Sequence, residues 1–217
     1  GGCSHFYRSK SVAGSKRAEK QPYRIRCTDI YKFGNFKTDF HDGVFAAAAA
    51  AKIKVVAHCE DNSIMDAATV ALGDDPQLSS RHDLRRSVAA DVESVREAIG
   101  VAIEVGCELH VFHISTLAGA QLVIEAAEAG HPITGTTAPH YLVADAEQAH
   151  AISQNRFKVN PSIKYAEDNI GLAALLAERK LAGIGTDHAP HPLDEKDRPY
   201  AKAPSGFPSV DLLLPLT

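Results

Sequence analysis

The residues best suited to chemistry are Gly185-Thr186-Asp187-His188-Ala189-Pro190-His191, a carboxylate and two imidazoles that close a short apolar run. A carboxylate can bind a cation and carry a proton, and a histidine four residues on can reach a bound ligand. Gly183, Gly185 and Asp187 share one parity, so in a strand the acid leaves on the same face as two residues without bulk, with space held open beside it. The same Asp-x-Ala-Pro order also suits a simple turn cap. His58, in Val56-Ala57-His58-Cys59-Glu60-Asp61, and His113, in His113-Ile114-Ser115-Thr116, close apolar runs in the same way. Three side chains able to hold a metal, each at the end of its own run, point to a metal-assisted hydrolytic site. His110 lies an odd number of positions from His113, faces the other side of the strand and reads as a structural or surface residue.

These residues need strands to carry them, and the pattern supplies strands that alternate with helices. Thr28 to Phe33 reads as a strand, and Val44 to Ala51, after Asp42-Gly43, as an alanine-rich helix. Ile53 to His58 is the next strand. Val88 to Val105 has Val88, Val92, Val95 and Ile99 at helical spacing, with Gly106 as its stop. Cys107 to Ile114 is a strand, Leu117 to Ala129 a helix stopped by Gly130, and Ile133 to Thr137 a short strand. Glu167 to Arg179 is a helix, and Leu181 to Thr186 the strand that delivers Asp187. Strands separated by helices imply βαβ units and a parallel sheet of the α/β class, with the site at the carboxyl ends of the strands. No low-complexity linker interrupts residues 28 to 217, which are expected to form one domain.

The composition fits that reading. At 217 residues, 45% hydrophobic and 23% charged, the chain can bury a sizeable core. It lacks both an apolar run of membrane-spanning length and a secretory segment at its start, so a cytoplasmic protein with no membrane partner is expected. The 4 cysteines include no C-x-x-C pair, which argues against a thiolate zinc site and a disulfide framework and predicts reduced, mostly buried thiols. Residues 1 to 27 carry seven Lys and Arg against Glu19, a charge of +6 that leaves −10 on the rest of a chain whose net charge is −4. Without a nucleic-acid-binding fold or an aromatic platform, this basic segment reads as solvated, or as a remnant of elements whose neighbours are absent, and no nucleic-acid partner is expected.

Six motifs together resemble the dihydroorotases of the cyclic amidohydrolase family. They are Val56-Ala57-His58-Cys59-Glu60-Asp61, His113-Ile114-Ser115-Thr116, Ala138-Pro139-His140-Tyr141-Leu142, Lys158-Val159-Asn160-Pro161, Thr186-Asp187-His188-Ala189-Pro190-His191 and Ala203-Pro204-Ser205-Gly206. Their order and intervals fit over about residues 28 to 217, and Glu195-Lys196 after the fifth motif favours dihydroorotase over hydantoin-cleaving relatives. The resemblance implies a (β/α)8 TIM-type barrel with a binuclear zinc centre, of which this chain would cover strands four to eight. It implies His58 and His113 as ligands of the second metal, and Asp187 as both a metal ligand and the catalytic group that takes a proton from the attacking hydroxide and returns it to the leaving ring nitrogen. Asn160, His191 and the backbone at Ala203 resemble the groups that hold the substrate. Lys32 resembles a carboxylated lysine that bridges the metals in many relatives, with Asp29 and Asp42 as alternatives. The implied reaction is the reversible hydrolysis of dihydroorotate to N-carbamoyl-L-aspartate in pyrimidine synthesis, with homodimerisation or association with aspartate transcarbamoylase as possible assemblies.

The family's first strand carries a His-x-His pair followed by an arginine, and this chain has no His-x-His. A half barrel also leaves open sheet edges, so the expectation is a fragment, or a chain from which segments have been removed. Two alternatives stand beside dihydroorotase: a hydantoinase or allantoinase, which Thr137-Ala138-Pro139-His140-Tyr141-Leu142 would also suit, and an inactive dihydroorotase-like scaffold subunit.

Overall fold

The computed structural model describes residues 26–31, 39–73, 75, 78, 80–153 and 155–216. Five strands run parallel and in chain order: β1 (Arg26–Tyr31), β2 (Val55–Glu60), β3 (Leu109–Val111), β4 (Ile133–Thr137) and β5 (Gly183–Ile184). Parallel neighbours need crossover connections, and helices supply them. Between β1 and β2 lies α1 (Asp39–Ala50). α2 (Asn62–Leu72), α3 (His82–Arg85) and α4 (Val88–Val105) follow β2, and α5 (Leu117–Glu128) follows β3. α6 (His140–Val143), α7 (Ala146–Ser153) and α8 (Ala166–Ala177) lead to β5, after which come α9 (Leu193–Lys196) and α10 (Val210–Leu213). A strand order that never reverses is singly wound, as in a sector of a (β/α)8 barrel; a doubly wound sheet would turn back at a switch point.

The two sheet faces differ. Val55, Ala57, Cys59, Leu109, Val111 and Ile133 join one core with Val95, Ala98, Ile99 and Ala102 of α4 and Ala120 and Val123 of α5. On the other face of β3 and β4, His110, Thr134 and Thr136 are only half-buried. His110 lies 2.8 Å from the Thr134 hydroxyl and 3.1 Å from that of Thr136, a structural role; its register with Val56 puts it on the sheet face of His58, not on the opposite face that parity with His113 predicts, because His113 turns out of the strand at φ 43°. α4 is bounded as its sequence demands. The Ser87 side chain accepts from the Ala90 N–H, and Gly106, at φ 68° and ψ 36°, supplies the left-handed stop. Burying Val95 and Ile99 contributes on the order of 1.5–3 kcal/mol each.

The long elements lie where periodicity puts them, with shifted ends. β1 runs Arg26–Tyr31, against an expected Thr28 to Phe33, and so takes in the last two residues of the basic segment. β3 stops at Val111 and β5 spans only Gly183–Ile184. α2, α3, α6 and α7 were not expected. α2 carries Ile64, Met65, Ala68, Ala71 and Leu72 at helical spacing, a stripe that could have been read, while α3 and α6 are four residues each, too short to show a period. Residues 1–25 and Lys32 lie outside the described residues. Cys59 and Cys107 are free and buried, as expected, and no described helix is long and apolar enough to cross a membrane.

Candidate metal and substrate site

β2 sends alternate residues to opposite faces, so His58 and Glu60 leave together from the side away from the helices. They are 5% and 0% exposed, and His58 Nε2 lies 2.9 Å from Glu60 Oε2, the oxygen that also accepts from Arg86 Nη1. An ionised carboxylate only accepts, so Nε2 carries the proton and the His58 lone pair is at Nδ1. That atom faces His113 Nε2 at 3.0 Å. His113 follows β3 at φ 43°, is 4% exposed, and its Nδ1 has no hydrogen-bond partner among the described residues. Two imidazole nitrogens on one tetrahedral zinc would lie roughly 3.3 Å apart, from Zn–N distances of about 2.0–2.1 Å, so the pair fits two positions of a coordination sphere.

The electrostatics keep the pair in a usable form. Burial raises the Glu60 carboxyl, but the His58 bond and the charges of Arg86 and Lys164 outweigh it and hold the group at about 2. Burial, then the neighbouring His58, pushes His113 well below the ordinary histidine range. A carboxylate backing a neutral imidazole is the arrangement that metal ligation requires. The turn after His113 is pinned by Asp91 of α4, which accepts from Ser115 Oγ at 3.2 Å and Thr116 Oγ1 at 2.5 Å. Asp61, from the same motif as His58, serves locally: it caps α2 by accepting from the Ser63 and Ile64 N–H groups.

Asp187 is half-buried and lies three residues beyond the end of β5, at φ 46°. Strand parity therefore does not extend to it. Nor does Gly185 keep space open, because a Cβ there would overlap the Phe112 ring; the glycine admits that ring, which packs 4.7 Å from the ring of His113. Burial raises the Asp187 carboxyl, and His58 is the neighbour that opposes the rise, so the two groups share a field across the strand ends. Among the described residues, no three His, Cys, Asp or Glu side chains close around one point. β4 adds His140, which is 0% exposed, without a hydrogen-bond partner for either ring nitrogen among the described residues, and held at about 3 by burial.

Of the residues expected to hold substrate, Asn160 has its Oδ1 2.9 Å from His82 Nε2, which also lies 3.0 Å from the Val159 carbonyl. Two acceptors place the His82 proton on Nε2, and its Nδ1 accepts from the Tyr200 hydroxyl at 2.6 Å. The Asn160 oxygen is thus occupied and its NH2 group remains for a ligand. His191 Nε2 lies 3.1 Å from the Ser205 carbonyl. The Ala203 N–H donates to Pro199 O at 3.0 Å and its carbonyl accepts from Lys158 Nζ at 2.7 Å, which leaves that carbonyl one further lone pair. Lys196, 3% exposed, donates to the carbonyls of Lys158, Pro204 and Gly206, each at 3.0 Å, and ties the Asn160 and Ala203 segments together. Lys32 lies outside the described residues, while Asp29 is the residue opposite His58 in the β1–β2 register.

Glu60, His140, His82 and Lys196 were not singled out from the sequence. Glu60 shares the strand parity of His58, a signal that could have found it. His140 stands within a quoted motif, and Lys196 was quoted beside Glu195 as a mark of the resemblance without a role in the site.

Comparison with known proteins places these features in context. No family model matches the chain. A dihydroorotase of Listeria monocytogenes is 34% identical over 171 residues, 78% of this chain and 39% of that protein. A dihydroorotase of Bacillus cereus is 33% identical over the same length. Among solved structures, L-hydantoinase (dihydropyrimidinase) from Arthrobacter aurescens superposes with a TM-score of 0.74 at 26% identity, covering 88% of this chain and 44% of that one. Dihydroorotase from Campylobacter jejuni gives 0.62 at 18% identity, a likeness of fold covering 49% of that chain. The neighbours are TIM-barrel amidohydrolases, and the five parallel strands are a partial barrel of that kind. The chain spans 39% of the length of the curated relatives it matches first.

Proposed function

We propose that this chain, a relative of the cyclic amidohydrolases, is a barrel sector of a zinc-dependent dihydroorotase that interconverts dihydroorotate and N-carbamoyl-L-aspartate. The observation that carries the reading is the approach of His58 Nδ1 to His113 Nε2 at 3.0 Å, with Glu60 fixing the first ring from behind. These two imidazoles and Asp187 would hold zinc, which when bound supplies a Lewis acid and a hydroxide near neutral pH. Asp187, half-buried and within the electrostatic reach of His58, is suited to take a proton from the attacking water and deliver it to the leaving ring nitrogen. Asn160, oriented by His82, offers its NH2 to a ring carbonyl, and His191 with the Ala203 carbonyl borders the same region.

A second reading, a hydantoinase, is favoured by the 26% identity to the Arthrobacter enzyme. The inactive scaffold subunit named among the sequence expectations is a third. The intact gene product, assayed on dihydroorotate, hydantoin and allantoin with metal content measured alongside, separates them. Turnover of dihydroorotate with bound zinc is the expected result. Turnover of only the other two substrates would establish the second reading, and neither metal nor turnover the third.

A further inference from the structure

Glu60 is among the most completely buried polar residues described, at 0% exposure. Its Oε2 is shared by His58 Nε2, at 2.9 Å, and the Arg86 guanidinium. Arg86 is itself held from a third side, because its carbonyl accepts from Ser162 Oγ at 2.8 Å and Lys164 Nζ at 2.7 Å. A buried carboxylate persists where it is paired, and here both partners use one oxygen. The geometry on the other side of His58 gives the pairing a purpose. A histidine ligates through one nitrogen, and the hydrogen bond made by the other decides which nitrogen that is and how the ring is aimed.

We propose that Glu60 is a positioning residue for cation binding: it fixes His58 as the Nε2–H tautomer and aims the Nδ1 lone pair to the point shared with His113 Nε2, while Arg86 anchors the carboxylate. The inference rests on the metallohydrolase reading above. It assigns the ion pair a task that an ordinary buried salt bridge does not have, since the same oxygen that satisfies Arg86 dictates the tautomer of a ligand. Removing Glu60 alone would leave the half-buried Arg86 without its carboxylate and confuse loss of fold with loss of aim.

The test therefore uses the intact gene product with three variants: Glu60→Gln, which keeps an acceptor oxygen, Glu60→Ala, and the pair Glu60→Leu/Arg86→Leu, which removes both charges together. Zinc affinity is measured by competition with a chromophoric chelator, and the metal-free proteins are melted in parallel. Glu60→Ala and the double variant are expected to lose 10–100-fold in zinc affinity, and Glu60→Gln less than about tenfold, with the double variant melting near wild type. Nitrogen-15 spectra of the metal-free wild type should show His58 protonated at Nε2. A folded double variant that binds zinc as tightly as wild type, or a His58 protonated at Nδ1, overturns the proposal. A wild-type protein that binds no zinc overturns the functional reading instead, and the tautomer still decides whether Glu60 sets the ring.

Discussion

At the scale of single residues, burial and charge pull in opposite directions at Asp187. Desolvation raises its carboxyl and the nearby His58 lowers it, the balance expected of a carboxylate that must both hold a proton and give it up. Asp187→Asn keeps the shape and removes the base. Turnover should fall by about 10⁴-fold or more, while the melting temperature of the metal-free protein moves little; substantial residual turnover would remove Asp187 from proton transfer. The approach of His58 to His113 was legible because each closes an apolar run, whereas Asp187 stands beyond the reach of strand alternation. The open space read from Gly185 was not there, although a Cβ at Gly183 would meet nothing within 4 Å. Glycine leaves the same trace in a sequence whether it makes room for a ligand or for a neighbouring side chain, and here the neighbour is Phe112. Glu60 was hidden for a related reason, since an acid beside a histidine has no visible depth until the strand is seen to be buried at every position.

At the scale of elements, close packing and local ion pairs give separate predictions. β5 lies near Phe112 only because Gly185 has no side chain. Gly185→Ala should therefore cost about 1–3 kcal/mol in denaturant unfolding, and Phe112→Leu in the same chain should recover part of that loss; additive losses would mean that the two positions do not meet. Asp83 of α3 is 5% exposed and takes a two-pronged bond from Arg81, at 2.9 and 2.7 Å. Burial raises its carboxyl, but the Arg81 fork prevails and draws it below the usual value. The folded state thus holds this proton less tightly than the unfolded chain. The stability Asp83 contributes is fully present above the unfolded value of about 3.9 and is lost as pH falls through the lowered one. Asp83→Asn should accordingly destabilise the protein at neutral pH and progressively less below about pH 4, measured by urea unfolding across that range. α4 and α5 were readable because each has a full apolar stripe between a polar cap and a stop, whereas α3, which carries this ion pair, is a single turn whose stability comes from contacts 66 and 82 residues away, with Glu147 and Tyr165.

At the scale of the molecule, the partial barrel was legible from the order of six motifs. The strand order has one more consequence. His58 and His113 touch across 55 residues of chain that include all of α2, α3 and α4. Any cation gripped by both rings acts as a removable clasp on that loop. By the chain-entropy estimate for a crosslink, closing it takes about 4 kcal/mol of freedom from the unfolded state. Chelator added to the intact protein should therefore speed unfolding and lower the melting temperature by several degrees, and His113→Ala should make the protein indifferent to the chelator. An unchanged melting curve would mean that no cation fastens this loop. On this view the paired imidazoles serve as a latch on chain topology, and the availability of the ion reports to the fold whether its second and third strands are joined.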